Sequence, residues 1–241
     1  MSTLQLLGFG STGWGALLLV ATLLTLAVTA AALAIGAILG TLVAAAKLSG
    51  NRLLWALGHA YTTVFRGVPE LLIIYLIYFG GSSALTSIGK ALGYDGFLGL
   101  PSFAAGALAV GVISGSYQAE VFRGAYLAIS KGELEAASAI GMGRRLRFRR
   151  IILPQVLRLA IPGLGNVWQL SLKDSALISV TGLAELMRTS QVAAGSTRHY
   201  FLFFIAGGCL YLILTSISDQ VFNRAERRAN RSMPSATMGK A

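Results

Sequence analysis

The sequence predicts an all-α protein that crosses a membrane five times. Three observations carry this. Hydrophobic residues make up 55% of the 241-residue chain and charged residues only 12%, against about 25% charged in a soluble domain. The stretches 14–46, 71–89, 96–119 and 200–218 contain no charged side chain, and about 20 apolar residues suffice to cross a bilayer. The excess positive charge, +11 in all, gathers beside these stretches rather than inside them.

Residues 1–13 carry no basic side chain, and the apolar run behind them is too long for a signal-peptide core, so no cleavable signal is expected. Residues 14–46 form the first span. Fully helical it would be about 50 Å long, so it must tilt or project from the hydrocarbon. Gly36 and Gly40 within it have the small-xxx-small spacing that lets a second helix approach closely. Lys47 and Arg52 mark a short basic loop. Residues 53–80 give the second span, interrupted by Arg66-Gly67-Val68-Pro69-Glu70, and the Gly- and Ser-rich residues 81–96 read as a loop with some helix. The third span, 97–121, repeats the close-packing spacing at Gly111 and Gly115. A polar island at 123–150 follows, with seven basic and two acidic residues. The fourth span begins at Gln155 and runs to about Ala184, loosened by Pro162, Gly163 and Gly165. Residues 185–199 are polar, 200–222 form the fifth span, and 223–241 an arginine-rich polar tail.

Five spans put the two ends on opposite sides of the membrane. The segments 47–52, 123–150 and 223–241 hold 14 of the 20 basic residues and all fall on one face. The positive-inside rule makes that face cytoplasmic and leaves residues 1–13 outside. The same placement argues against nucleic acid and for membrane lipid as the partner of the basic charge. With Cys209 as the single cysteine and His59 and His199 as the two histidines, no internal disulfide, metal cluster or Cys–His nucleophile is expected.

The island at 123–150 has the marks of a short helix. Ser130 is placed to cap it, Glu133 to complete a capping box, and Ile129 and Leu134 to form a hydrophobic staple. Gly141 and Gly143 are expected to end it, because glycine accepts the left-handed backbone of a helix terminus.

Glu135-Ala136-Ala137, then Gly141, nine further residues, and Ile151-Ile152-Leu153-Pro154 resemble the signature of the membrane subunits of ABC importers. Three further stretches, Phe65 to Glu70, Glu120 to Gly124 and Leu172 to Leu177, are similar to the polar amino-acid subfamily, the histidine, arginine, glutamine and opine permeases. The resemblance covers nearly the whole chain. It implies a type I ABC importer permease fold in the bacterial inner membrane, with a transmembrane domain over 14–222 and a cytoplasmic coupling helix within 123–150. Glu135, Ala136, Ala137, Gly141, Ile151, Leu153 and Pro154 would then serve an ATPase dimer. The other implied partners are a second permease subunit, homologous or a further copy of this chain, and a periplasmic solute-binding protein facing 81–96 and 185–199. The chain contains no Gly-x-x-x-x-Gly-Lys-Ser/Thr. It is therefore expected to be a non-catalytic transporter subunit without a cofactor of its own, ATP and Mg being bound by the partner ATPase. An ATPase-independent channel or secondary transporter is the alternative.

Ionisable groups within spans cost about 2.5–3.5 kcal/mol each on insertion scales. Arg66, Glu70, Glu120, Arg158, Lys173, Asp174 and Asp219 therefore need partners or water. Arg66 and Glu70, four apart, either pair along one helix face, or Glu70 faces a central cavity and binds the cationic group of a basic substrate such as histidine, arginine, ornithine or an opine. Asn166, Trp168 and Gln169 follow the Pro162–Gly165 run and are a second candidate set, since discontinuous helices often line transport sites. Interhelical hydrogen bonding is the alternative for them. Lys173 and Asp174 are expected to pair locally near the outer end, and Arg123 and Arg158 to snorkel to the cytoplasmic surface.

Overall fold

A computed structural model describes residues 3–10 and 13–230, which are helical throughout with short connections and no strand among them. The elements are α1 (Thr3–Leu7), α2 (Gly15–Leu48), α3 (Arg52–Gly67), α4 (Glu70–Ala91), α5 (Ser102–Leu127), α6 (Lys131–Ala139), α7 (Arg144–Thr181), α8 (Leu186–Thr197) and α9 (Tyr200–Asn230). By length and composition α2, α4, α7 and α9 are able to cross a membrane. The expected third span, α5, has the length, at 26 residues, but half of it is buried among other helices. Its many Gly, Ala and Ser residues suit that burial, since small side chains let helices approach closely.

The most extensive contact in the molecule is between α2 and α5, and it joins the two glycine pairs noted in the sequence. A methyl group on Gly40 would come within 2.8 Å of Gln118 Cβ and 3.0 Å of Ala119 N, and one on Gly111 within 2.8 Å of Ile35 Cβ. Bare backbone at these positions sets the separation of the helices. Val28, Ala32, Ala109 and Val110 fill the seam, and Ile74 of α4 and Ile178 of α7 close over it. Gln118, fully buried, donates from Nε2 to Leu33 O at 3.1 Å, adding a polar tie in a dry interface.

The chain departs from the expected spans in three places. Pro69 disfavours a helical conformation at the preceding residue, and Val68 is extended (φ −92°, ψ 138°). The expected 53–80 span is therefore split. α3 stands apart, capped by the Asn51 side chain, which accepts from the amides of Leu53 and Leu54. The helix long and apolar enough to cross is instead α4, which extends the helix expected within 81–96 over residues 81–91. The run at Pro162 does not interrupt α7, which is continuous from Arg144 to Thr181 and ends in a tighter 3₁₀ stretch before Gly182 (φ 86°). The tail is helical as far as Asn230 because α9 continues through it. Residues 231–241, including Arg231 and Lys240, lie outside the described residues.

Residues 185–199, expected as an exposed polar segment, are anchored at their start. Glu185 is fully buried, accepts from the amides of Met187 and Arg188 as the cap of α8, and accepts from the Tyr211 hydroxyl at 3.1 Å. Burial pushes its carboxyl above the usual carboxylate range, although these three donors oppose the shift. The Leu186 amide donates to Thr25 Oγ1 of α2, while Leu186, Ala193 and Ala194 join Leu6, Leu18 and Phe203 in a second core. Leu6 belongs to the first 13 residues, so part of that segment is a packed element.

Overpacking a close helix contact costs about 1–3 kcal/mol. Gly40→Val is accordingly expected to lower the thermal unfolding midpoint of the detergent-purified chain by several degrees. Gly208→Ala, where an added methyl meets nothing within 4 Å, is expected to leave it within a degree or so. Equal midpoints for both variants would remove the α2–α5 seam as the determinant of packing.

Candidate functional site

The polar island forms α6, held against the bundle by one face. Ser130 occupies the cap position with extended backbone (φ −60°, ψ 127°), but its side chain makes no capping bond. The expected capping box is absent because the Glu133 carboxylate accepts instead from Gln155 Nε2, 22 residues on. The exit is a Schellman turn. Gly141 adopts φ 76°, its amide donates to Ser138 O, and the Met142 amide donates to Ala137 O, both at 3.0 Å. Gly143 does not end α6 but sits at the cap position of α7 (φ −62°, ψ 154°). Ala137 faces the bundle and is buried, whereas Glu135 and Ala136 face outward. Ile140, 78% exposed, is an apolar tip beside them that carries no motif signal in the sequence.

Ile151, Leu153 and Pro154 lie on α7, directly above this exit. A π-helical turn over Phe148–Ile152 precedes Pro154. Proline lacks an amide and crowds the preceding turn, and widening that turn is one way a helix accommodates it. Ile151 is half-buried, while Leu153 and Pro154 are exposed. Leu153 lines an apolar cavity against α2 and α5, and Pro154 lines a groove with Arg158 and Ala229.

The second group of residues lies in the interior. Because the chain breaks at Val68-Pro69, Arg66 ends α3 while Glu70 begins α4, and the two form no ion pair. The Arg66 guanidinium instead lies 5.3 Å from the centre of the Tyr117 ring, a cation–π contact. Glu70 is half-buried and within electrostatic reach of Tyr117 on α5 and of Asp174 on α7. Asp174, expected as the local partner of Lys173, is within electrostatic reach of both that lysine and Glu70, but makes no ion pair with the lysine. Tyr117 was not among the expected site residues, having no signal beyond a hydroxyl in an apolar run.

The α7 candidates separate. Gln169 donates to Asp219 Oδ1 at 2.7 Å and to Thr215 O at 3.3 Å, so it ties α7 to α9. The Trp168 ring lies 6.3 Å from that of Phe222, with its indole N–H buried and without a hydrogen-bond partner, and Asn166 is exposed. Gln169 therefore follows the interhelical reading, and the three are not gathered with Glu70 in any described contact.

A cavity of about 460 Å³ adjoins Tyr117 between α2, α3 and α5, lined by Lys47, His59, Arg66, Glu120 and Arg123 among others. Lys47, expected in a loop, is in the last turn of α2 with its side chain only 5% exposed. It pairs with Glu120 Oε1 and donates to Thr62 Oγ1 at 3.0 Å, while Arg123 binds the other Glu120 oxygen at 2.9 Å. Arg123 is thus an ion-pair partner rather than a free surface cation. These two pairs are the only ion pairs among the described residues.

Comparison with known proteins adds independent information. Residues 36–231 match the family described as "Binding-protein-dependent transport system inner membrane component". The octopine transport system permease protein of Rhizobium meliloti is 54% identical over 233 residues, covering 97% of this chain and 98% of that protein. The histidine/lysine/arginine/ornithine transport system permease protein of Escherichia coli (strain K12) is 40% identical over 216 residues, covering 90% and 94%. Among solved structures, an amino acid ABC transporter crystallised with histidines superposes with a TM-score of 0.76 at 31% identity, covering 89% of this chain and 95% of that one.

Glu120→Gln leaves the Lys47 ammonium buried with half its partners. Removing one member of a buried pair costs about 3–5 kcal/mol, so this variant is expected to lower the unfolding midpoint sharply. Lys47→Met combined with Glu120→Gln is expected to regain at least half of the loss. A double variant no more stable than Glu120→Gln alone would show that the pair is not what joins these helices.

Proposed function

From the premise that the chain belongs to the family of binding-protein-dependent transport system inner membrane components, we propose that it carries a basic amino acid or an opine inward, driven by an ATPase docked on α6. As a multi-pass permease subunit of an amino-acid or opine importer, the chain is not itself an enzyme. ATP and Mg belong to the partner ATPase dimer. A second permease, either a homologue or another copy of this chain, completes the pathway, and a periplasmic binding protein delivers substrate.

In this reading five helices cross the membrane, α5 being the shielded one beside α2, α4, α7 and α9. Residues 1–13 are periplasmic and the arginine-rich end of α9 is cytoplasmic, by the distribution of basic residues. This orientation brings α6 and the π-turn of α7 to the cytoplasmic surface. The coupling surface is Glu135, Ala136 and the Ile140 tip, presented by the Gly141 turn, with Ile151, Leu153 and Pro154 at the root of α7 behind it. Small residues permit close docking, and Glu135 offers a charge to an opposing surface. Closing of the ATPase dimer would shift two such helices together and alternate access as a rigid-body motion.

The observation that carries the substrate assignment is that Glu70 and Asp174, from two helices beside Tyr117, lie within electrostatic reach of one another and neither forms an ion pair, Lys173 acting on Asp174 only at longer range. Two acids in a bundle interior call for a cation, and a basic amino acid supplies one. Named relatives that carry octopine or histidine, lysine, arginine and ornithine support the same class.

Two measurements test the proposal. A chain carrying Glu135→Lys and Gly141→Asp is expected to insert normally but to lose the co-purifying ATPase and ATP-dependent uptake. Retention of both would refute docking at α6. For recognition, Glu70→Gln removes a charge-assisted contact worth about 1.5–3 kcal/mol. Arginine uptake should therefore fall tenfold or more while any uptake of an uncharged amino acid is spared. An equal loss for both, or no loss, would dismiss Glu70 as the selector of charge.

A further inference from the structure

Two cavities lie side by side at the root of α7, behind the α6 surface described above. The first, about 320 Å³, is apolar and is lined by Ala45 and Leu48 of α2, Phe122 of α5, and Phe148, Leu153 and Val156 of α7 among others. The second, about 270 Å³, is lined by Lys131, Leu134, Glu135, Ser138 and Arg147. Tyr126 and Ile152 line both, so the two are adjacent. An apolar chamber thus adjoins one bearing two cations and one acid.

We propose that this two-chambered groove binds one anionic phospholipid of the cytoplasmic leaflet, with an acyl chain in the apolar chamber and the phosphate between Lys131 and Arg147. The apolar volume falls at the lower end of the ligand-sized range of about 300–1,000 Å³. It follows α2 from Thr41 to Leu48, about 10 Å at 1.5 Å per residue, a depth suited to part of one leaflet. Leu42, beside it on the same helix, is 63% exposed and Ile38 is 65% exposed, so the chamber adjoins a surface facing hydrocarbon.

Charge complementarity selects the headgroup. Arg147 donates to Ser138 Oγ, which orients its guanidinium across the polar chamber. Arg144, Arg145, Arg149 and Arg150 are exposed around it, and none takes part in an ion pair. Five arginines within seven residues at a membrane surface attract anionic lipid, each basic group near the surface strengthening binding severalfold. The bound lipid would touch Glu135 and Ser138 on α6, so leaflet composition would bear on the coupling helix itself. The proposal rests on the cytoplasmic placement of α6 given above.

The test uses the full chain purified with its partner subunits, stripped in detergent and titrated with phosphatidylglycerol or phosphatidylcholine under native mass spectrometry. This readout is blind to sidedness, so an error in orientation would leave it unchanged. The expected result is one phosphatidylglycerol retained per chain, about tenfold in preference to phosphatidylcholine. Lys131→Gln with Arg147→Gln should abolish the preference, and the charge-conserving pair Lys131→Arg with Arg147→Lys should keep it, which separates charge from misfolding. Ala45→Trp, filling the apolar chamber, should reduce retention of both lipids. Equal retention of the two lipids by wild type, or unchanged retention in either the neutralised or the filled variant, overturns the proposal. So does a neutralised variant that sheds the ATPase yet keeps its lipid preference, since the two cations would then belong to a protein interface.

Discussion

The close approach of α2 and α5 is the constraint on which the other helices depend. Inside a bilayer, lipid tails are as apolar as leucine, so helices gain little by burying hydrophobic side chains against each other. What remains is dispersion between surfaces in contact and hydrogen bonds across them. Gly36 and Gly40 against Gly111 and Gly115 bring two backbones together, and Gln118 adds a polar tie. α5, fixed in this way, offers its remaining surface to everything else. α3 is held to it by the Tyr61 hydroxyl, which donates to Val112 O at 2.6 Å, and α7 packs through Gly106 against Ile178 and Gly163 against Val121. Glu70, Tyr117 and Asp174 come together because α4 and α7 both flank this one helix.

The interior charges fall into two kinds, and partner geometry tells them apart. Glu120 has a lysine on one oxygen and an arginine on the other. That carboxylate is neutralised within the protein, and its work is to join α2, α3 and α5. Glu70 and Asp174 lie within electrostatic reach of each other and of Tyr117, and neither forms an ion pair, although Lys173 acts on Asp174 at longer range. Bringing two acids together without a paired cation costs free energy, which a transient cation can recover. The ion-paired acid and the unpaired acids look alike in sequence, all being single carboxylates close to a span, and differ only in what other helices bring to them.

Much of the architecture was legible from the chain alone, and the failures have physical causes. The charge-free runs revealed the apolar helices, and the two glycine spacings identified both halves of the α2–α5 seam without showing that they meet. Gly141 was correctly read as the exit of α6, since few residues other than glycine take φ 76°. Gly143 and the Ser130–Glu133 box were misread because local spacing does not reveal competing long-range partners, here Gln155 for Glu133. Proline was misjudged in both directions. Pro69 splits a helix because Val68 must leave the helical region, whereas Pro162 sits inside a helix that runs on through it. Lys47 was assigned to a loop, since sequence position says nothing of a glutamate 73 residues away.

The unbroken course of α7 has a mechanical meaning. From Pro154, near the exit of α6, to Asp174, in the interior, the helix rises about 30 Å at 1.5 Å per residue. A tilt of about 5° around its lower end would carry Asp174 sideways by roughly 2.6 Å over that length, comparable to a hydrogen bond. A rod of this span converts a small angular change at one surface into the making or breaking of a contact at the other. Glu70, on a different helix beyond the Val68-Pro69 break, need not follow the motion. The distance between the two acids is thereby an output of the tilt of α7, and the attraction they exert on a cation is tied to that angle.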